Sequence, residues 1–116
     1  MYRVELVFPD GTRPCLRVAG EEFVLAAARR AGLTLPSLCE QGWCCTCAAR
    51  VLAGELDHGA ARRFFSEDRA AGFALLCTAR ARSDLRLRTH ALQAMRAHRL
   101  AAGLPVPRGP TLPPEA

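Results

Sequence analysis

Residues 39–47 read Cys39-Glu40-Gln41-Gly42-Trp43-Cys44-Cys45-Thr46-Cys47. Four of the six cysteines fall in these nine residues, with Cys15 upstream and Cys77 alone downstream. Taken as Cys39, Cys44, Cys47 and Cys77, the intervals are C-x4-C-x2-C, then 29 residues, then C. Only Cys44 keeps both short intervals, so Cys45 is expected to be a bystander thiol, and Cys15, far away on a strand, another.

The flanking sequence predicts a small α+β scaffold. Tyr2, Val4, Leu6 and Phe8 alternate with Arg3, Glu5 and Val7, and Leu16 and Val18 alternate with Arg13, Cys15 and Arg17. With the turn signal Pro9-Asp10-Gly11 between them, these runs predict an antiparallel hairpin. A helix is expected over 21–31, with Gly20 as N-cap, Glu21 and Glu22 at its positive end, Phe23, Val24, Ala27 and Ala28 on its apolar face and Gly32 as terminator. Pro36 forces an extended entry into the cysteine loop.

Downstream, Ala48–Leu52 predict a short strand closed by Gly54, and 55–65 predict irregular chain. Ser66 is the expected cap of a short helix over 67–71. Leu85, Leu87 and Thr89, alternating with Arg86 and Arg88, predict a returning strand with one wet face. The fold class expected is α+β, a small mixed sheet with one main packed helix. A further helix is expected over 91–102, with Leu92 and Met95 turned to the domain's own sheet. Residues 1–102 are thus expected to form one domain. Five prolines in the last fourteen residues predict an extended or disordered tail over 103–116, whose removal should leave stability unchanged.

All sixteen basic residues are arginine, and the formal charge is +5. The charge is uneven: residues 1–77 balance nine arginines against nine acids, while 78–116 set seven arginines against Asp84 and Glu115. Without lysine the arginine content reflects coding bias, and after residue 73 no aromatic is available to stack on bases, so nucleic acid is not an expected partner. These arginines are expected to form a mostly solvated face. The N-terminus shows neither the charged nor the apolar region of a signal peptide, and no apolar run reaches membrane-spanning length, so a cytoplasmic, non-membrane protein is expected. Cysteines in such a setting favour metal over disulfides.

The cysteine intervals match those that hold a two-iron, two-sulfide (2Fe–2S) cluster. Each iron takes four sulfurs, and with two sulfides shared the protein must supply four thiolates. The oxidised unit is formally a dianion, and one electron makes it a trianion. Backbone N–H groups of an irregular loop can point at its sulfurs, and Gly42, Thr46 and Ala48 leave room for that approach. Structural zinc sites pair their ligands in two short knuckles, whereas here three share one loop. A four-iron cluster prefers C-x2-C-x2-C, which is absent. With four cysteines available, His58 and His90 are expected to be structural or surface residues, and His98 a solvated helix residue.

The sequence resembles the plant-type 2Fe–2S ferredoxins over about residues 1–95. Ala31-Gly32-Leu33-Thr34-Leu35-Pro36 is similar to the family's helix end and loop entry, Cys39–Cys47 to its ligand loop, and Gly54-Glu55-Leu56-Asp57 to the turn that follows. Residues 64–77 resemble its short helix and final ligand, and Ser83-Asp84 and Thr89-His90 its closing strand. The resemblance implies a β-grasp fold, one 2Fe–2S cluster and single-electron transport rather than enzymatic catalysis. It implies Cys39 and Cys44 on one iron, Cys47 and Cys77 on the other. The loop wording and Ala79-Arg80-Ala81-Arg82-Ser83 look like the ferredoxin domains of bacterial oxygenase reductases.

That likeness implies a monomeric shuttle. It would be served by a separate NAD(P)H-dependent flavoprotein reductase, since no G-x-G-x-x-G unit is present, and would deliver electrons to an oxygenase, a P450 or another redox enzyme. Glu40, Trp43 and the basic end depart from the acidic photosynthetic members. Arg69, Arg80 and Arg82 are expected near the cluster, raising its potential above the plant-type value of about −400 mV. The alternative is a sensor or binding module whose Arg-rich last third binds an acidic partner.

Overall fold

The computed structural model describes residues 1–37 and 45–106. Residues 38–44, which include Cys39 and Cys44, lie outside the described residues, as does 107–116. The N-terminal hairpin consists of β1 (Tyr2–Val7) and β2 (Cys15–Val18), paired antiparallel with Val4 opposite Leu16. Its turn is closed by Asp10, whose Oδ1 accepts the Thr12 backbone N–H at 2.9 Å, and by Gly11 at φ 89°. β2 begins at Cys15, later than the alternation suggested. Pro14 has no N–H for a ladder, and only its carbonyl contributes, accepting from Leu6 N at 2.9 Å.

Helix α1 (Val24–Arg30) starts three residues later than expected, and Gly20 is not its cap. Phe23 is still extended, bridging Arg80 as a strand would, and the Val24 N–H is taken by the Ala79 carbonyl at 3.0 Å. A remote strand end thus does the work of a cap. Glu22 instead reaches along the helix to Arg30, 2.9 Å away.

β3 (Ala48–Ala53), β4 (Leu56–Asp57), α2 (Ser66–Ala70), β5 (Phe73–Leu75), β6 (Arg80–Ala81), β7 (Leu85–Arg88) and α3 (Leu92–Ala101) follow. The main sheet has the order β2-β1-β7-β3-β5, with β1 and β7 parallel and the other pairs antiparallel. This is the mixed sheet of an α+β, β-grasp fold. Val4, Leu6, Leu16, Val18, Leu85 and Leu87 form one buried face against Val24, Leu25, Ala27 and Ala28 of α1. Small alanines let the helix lie close to the sheet.

Four more sequence-based expectations are corrected. The stretch 55–65 is not wholly irregular, because β4 pairs with β6, Leu56 opposite Ala81. Two-residue strands carry no periodicity to detect. Ser66 does not cap α2: it is the first helical residue, its hydroxyl meets Glu67 at 3.1 Å, and Asp68 Oδ2 accepts the N–H of Phe65 at the N-cap at 2.9 Å. Nor is His98 a solvated helix residue. Its ring lies 5.3 Å from that of Phe73 and its Nε2 is 3.1 Å from buried Asp68. Arg99, counted among the solvated arginines, is fully buried beside it.

Candidate metal centre

Two of the four candidate ligands lie among the described residues, at the same end of the sheet. Cys47 immediately precedes β3, and Cys77 follows β5, the antiparallel neighbour of β3. The Leu76 N–H donates to the Cys47 carbonyl at 3.3 Å, carrying the pairing past the strand ends. The next amide, Cys77 N–H, donates to Cys47 Sγ at 3.4 Å. Both cysteines are buried, at 5% and 6% exposure.

The segment that presents Cys77 is held from both sides. Leu25 N–H donates to the Leu76 carbonyl at 2.9 Å and Val24 N–H to Ala79 at 3.0 Å, so the first turn of α1 clamps 76–79. Thr78 N–H returns to Leu75 at 3.2 Å. The Thr78 hydroxyl is buried and has no hydrogen-bond partner among the described residues. Donors deprived of water are costly unless a partner is supplied.

Cys45 is fully buried and sits at φ 67°, a conformation non-glycine residues rarely adopt. Its carbonyl accepts the Ala48 N–H at 3.0 Å, forming the bend by which the chain leaves the loop for β3. Cys15 is exposed on edge strand β2, with Arg3 Nη2 3.8 Å from its sulfur, remote in the fold from Cys47 and Cys77.

The histidines have other employment. His58 stacks on Phe64 at 4.0 Å between ring centres, and burial, then the nearby Arg69 charge, push its pKa down from the ordinary value. His90, at φ 59°, bonds Thr89 Oγ1 through Nδ1 at 2.7 Å and meets Phe8 edge-on. The three arginines expected near the cluster are all engaged. Arg69 lies 3.8 Å from Glu55, Arg80 donates to the Glu21 carbonyl and covers the Phe23 ring, and Arg82 pairs with Asp57 at 2.9 Å while donating to Gly20 O.

A 2Fe–2S cluster suits what is described. Two buried cysteines are brought together, a backbone N–H already points at the sulfur of one of them, and the residue after the other, Thr78, has a buried hydroxyl without a partner among the described residues. Thiolates and oriented donors are what a polyanionic iron–sulfur unit requires. Fold and site therefore define a β-grasp iron–sulfur electron-transfer protein. The model of the 2Fe-2S iron-sulfur cluster binding domain matches residues 7–82, and the chain belongs to that family.

Ferredoxin-2 of Synechococcus sp. is 40% identical over 89 residues, covering 77% of this chain and 84% of that one. The reductase subunit of an aromatic O-demethylase from Amycolatopsis sp. is 44% identical over 70 residues, 59% of this chain but 21% of the relative. Among solved structures, the Amycolatopsis cytochrome P450 reductase GcoB superposes with a TM-score of 0.67 at 36% identity, over 78% of this chain and 26% of that one. The chain thus spans about a quarter or less of the two reductases. It is a 2Fe–2S electron-transfer protein that works with redox partners, and not an enzyme in its own right. No helix among the described residues is long and apolar enough to cross a membrane.

Proposed function

We propose that Cys39, Cys44, Cys47 and Cys77 hold one 2Fe–2S cluster. On this reading the chain carries single electrons from an NAD(P)H-dependent flavoprotein reductase to an oxygenase-type acceptor such as a P450. When bound, the cluster accepts and releases one electron without breaking or making a covalent bond of a substrate. The protein's contribution is to seat it. Cys77 N–H directs a donor at Cys47 Sγ, and buried Thr78 supplies a hydroxyl at the same end of the sheet. The clamp from α1 fixes the Cys77 segment, so that little rearrangement accompanies the change of charge.

The observation that carries the reading is the 3.4 Å contact between Cys77 N–H and Cys47 Sγ, residues thirty apart in sequence. The reductase-to-oxygenase direction is supported by likeness to the reductases above, which have a stretch like this one within a longer chain. A monomer in the cytoplasm is part of the same proposal. Residues 1–102 are proposed as the cluster domain and 103–116 as a Pro-rich tail.

The test is reduction by dithionite followed by mixing with a P450 in its ferric, substrate-bound state. Rapid reoxidation of the protein with one electron per chain is expected. A reduced protein that delivers electrons to no oxygenase or P450, while reducing other acceptors, would remove the oxygenase assignment.

A further inference from the structure

The outer face of the main sheet, opposite α1, is an arginine platform that includes none of the four candidate cysteine ligands. Strand alternation sends Arg3 of β1, Arg17 of β2, Arg50 of β3, and Arg86 and Arg88 of β7 to that face, and all five are exposed. Register sets them in rows. Arg3 lies directly opposite Arg17, and Arg50 directly opposite Arg88. The carboxylates there are Glu5, which takes Arg86 Nε at 2.7 Å, and Asp84, whose Oδ1 accepts the Arg3 backbone N–H at 2.9 Å. Five arginines against two carboxylates leave a net of three positive charges on the face. Among the described residues Arg17 and Arg88 have no ion-pair partner.

Like charges directly opposite each other destabilise an antiparallel pair, and the face incurs that cost twice. Scattered solvated arginines would not. An anionic surface laid across the strands relieves both repulsions at once. The platform also reaches toward the cysteine end. Arg50, which leans over the Phe73 ring at 4.6 Å, is three residues past Cys47 on β3, about 10 Å along a strand.

We propose that this face docks an acidic surface of a protein redox partner, an inference that rests on the electron-carrier reading and gives the partner its charge. A protein fits better than a nucleic acid. Among the described residues no aromatic ring is exposed on the face to stack a base, Phe73 being buried. Glu5 and Asp84 interrupt the platform where a continuous phosphate backbone would be repelled, whereas an acidic protein surface can place a positive group there.

The experiment uses the cluster-loaded protein and two labelled probes of equal charge, poly-L-glutamate and an oligo-dT strand, with binding followed by fluorescence anisotropy. The double variant Arg17→Glu/Arg88→Glu should bind poly-L-glutamate about tenfold or more weakly, with a shallower salt dependence. Arg62→Glu, an exposed arginine off the face, should bind as wild type. The double variant should also melt at a higher temperature than wild type, because each new glutamate faces an arginine, so weaker binding cannot be put down to misfolding. Equal losses in the double variant and Arg62→Glu, or no loss in either, would overturn the proposal, as would tighter binding of oligo-dT than of poly-L-glutamate. The electron-carrier reading fails separately, if the wild-type protein shows no reducible cluster while its binding of poly-L-glutamate is unchanged.

Discussion

Asp68 on α2 and Arg99 on α3 are both fully buried and joined as an ion pair, Arg99 Nη2 to Asp68 Oδ2 at 2.9 Å. Arg99 Nη2 also donates to the Arg63 carbonyl at 2.8 Å, and Asp68 accepts the Phe65 N–H. His98 Nε2 approaches the other carboxylate oxygen at 3.1 Å. These bonds fasten α3 to α2 and bring Met95 into the core. Replacing a buried pair by apolar residues is often tolerated, but removing one partner strands a charge and costs about 3–5 kcal/mol. Asp68→Ala is therefore expected to lose about that much in urea unfolding. A loss within about 1 kcal/mol of zero would mean that the site is hydrated in solution.

Gly54 is the second point where one residue decides local structure. It sits at φ 100°, and a Cβ there would run into the Asp84 carbonyl and come within 2.7 Å of Leu85 Cδ2. The positive φ alone costs a non-glycine residue about 1–3 kcal/mol, and the backbone contact cannot be relieved by a rotamer. Gly54→Ala should therefore destabilise by more than about 2 kcal/mol. Its amide proton signals should shift along both the β3–β4 turn and 83–85, and a change confined to the turn would contradict the close approach.

His58 gives the stability a pH dependence. Its folded pKa lies below the ordinary value of 6.5, chiefly through burial. The unfolded chain therefore binds a proton that the folded chain refuses, and stability rises with pH through the window between the two pKa values. It is highest above pH 6.5 and falls as the pH drops below it. In His58→Phe, which retains an aromatic ring against Phe64, this part of the slope between pH 5 and 7 should vanish in urea titrations. An unchanged slope would assign the dependence to other groups.

Thr78 follows Cys77 in sequence, and we propose that its buried hydroxyl, without a partner among the described residues, donates to the cluster. A donor aimed at sulfur favours the more negative, reduced state, so Thr78→Val should lower the reduction potential. A bond about 1 kcal/mol stronger in the reduced state corresponds to about 40 mV for one electron. Thr78→Ser should hold the wild-type value. Redox titration in which valine and serine behave alike would remove the hydroxyl from the site. The engagement of Arg69, Arg80 and Arg82 with Glu55, Glu21 O and Asp57 also weakens their expected contribution to a raised potential.

Much of this fold was legible because its strands have one wet face. Alternation placed Val4, Leu6, Leu16, Val18, Leu85 and Leu87 inward correctly, and cysteine intervals alone linked Cys47 to Cys77. What escaped depended on contacts between distant segments. The start of α1 is set by Ala79, fifty-five residues after Val24, and β4–β6 is too short for a period. Arg99 looked like one more solvated arginine because its partner, Asp68, lies thirty-one residues away on another helix. The i, i+4 spacing of Met95 and Arg99 was the available signal, since it puts the arginine on the buried side of α3.

The central claim, that Cys39, Cys44, Cys47 and Cys77 together hold one 2Fe–2S cluster, is tested most directly by absorption and EPR spectra of the native and dithionite-reduced protein. The same spectra of Cys45→Ser and Cys77→Ser should accompany them. Wild type and Cys45→Ser should be EPR-silent as isolated and give one rhombic signal per chain on reduction, with bleaching of the visible bands. Cys77→Ser should lose the cluster or show a changed signal. A spectrum without iron–sulfur bands, or a cluster lost in Cys45→Ser and unaffected in Cys77→Ser, would contradict the ligand set.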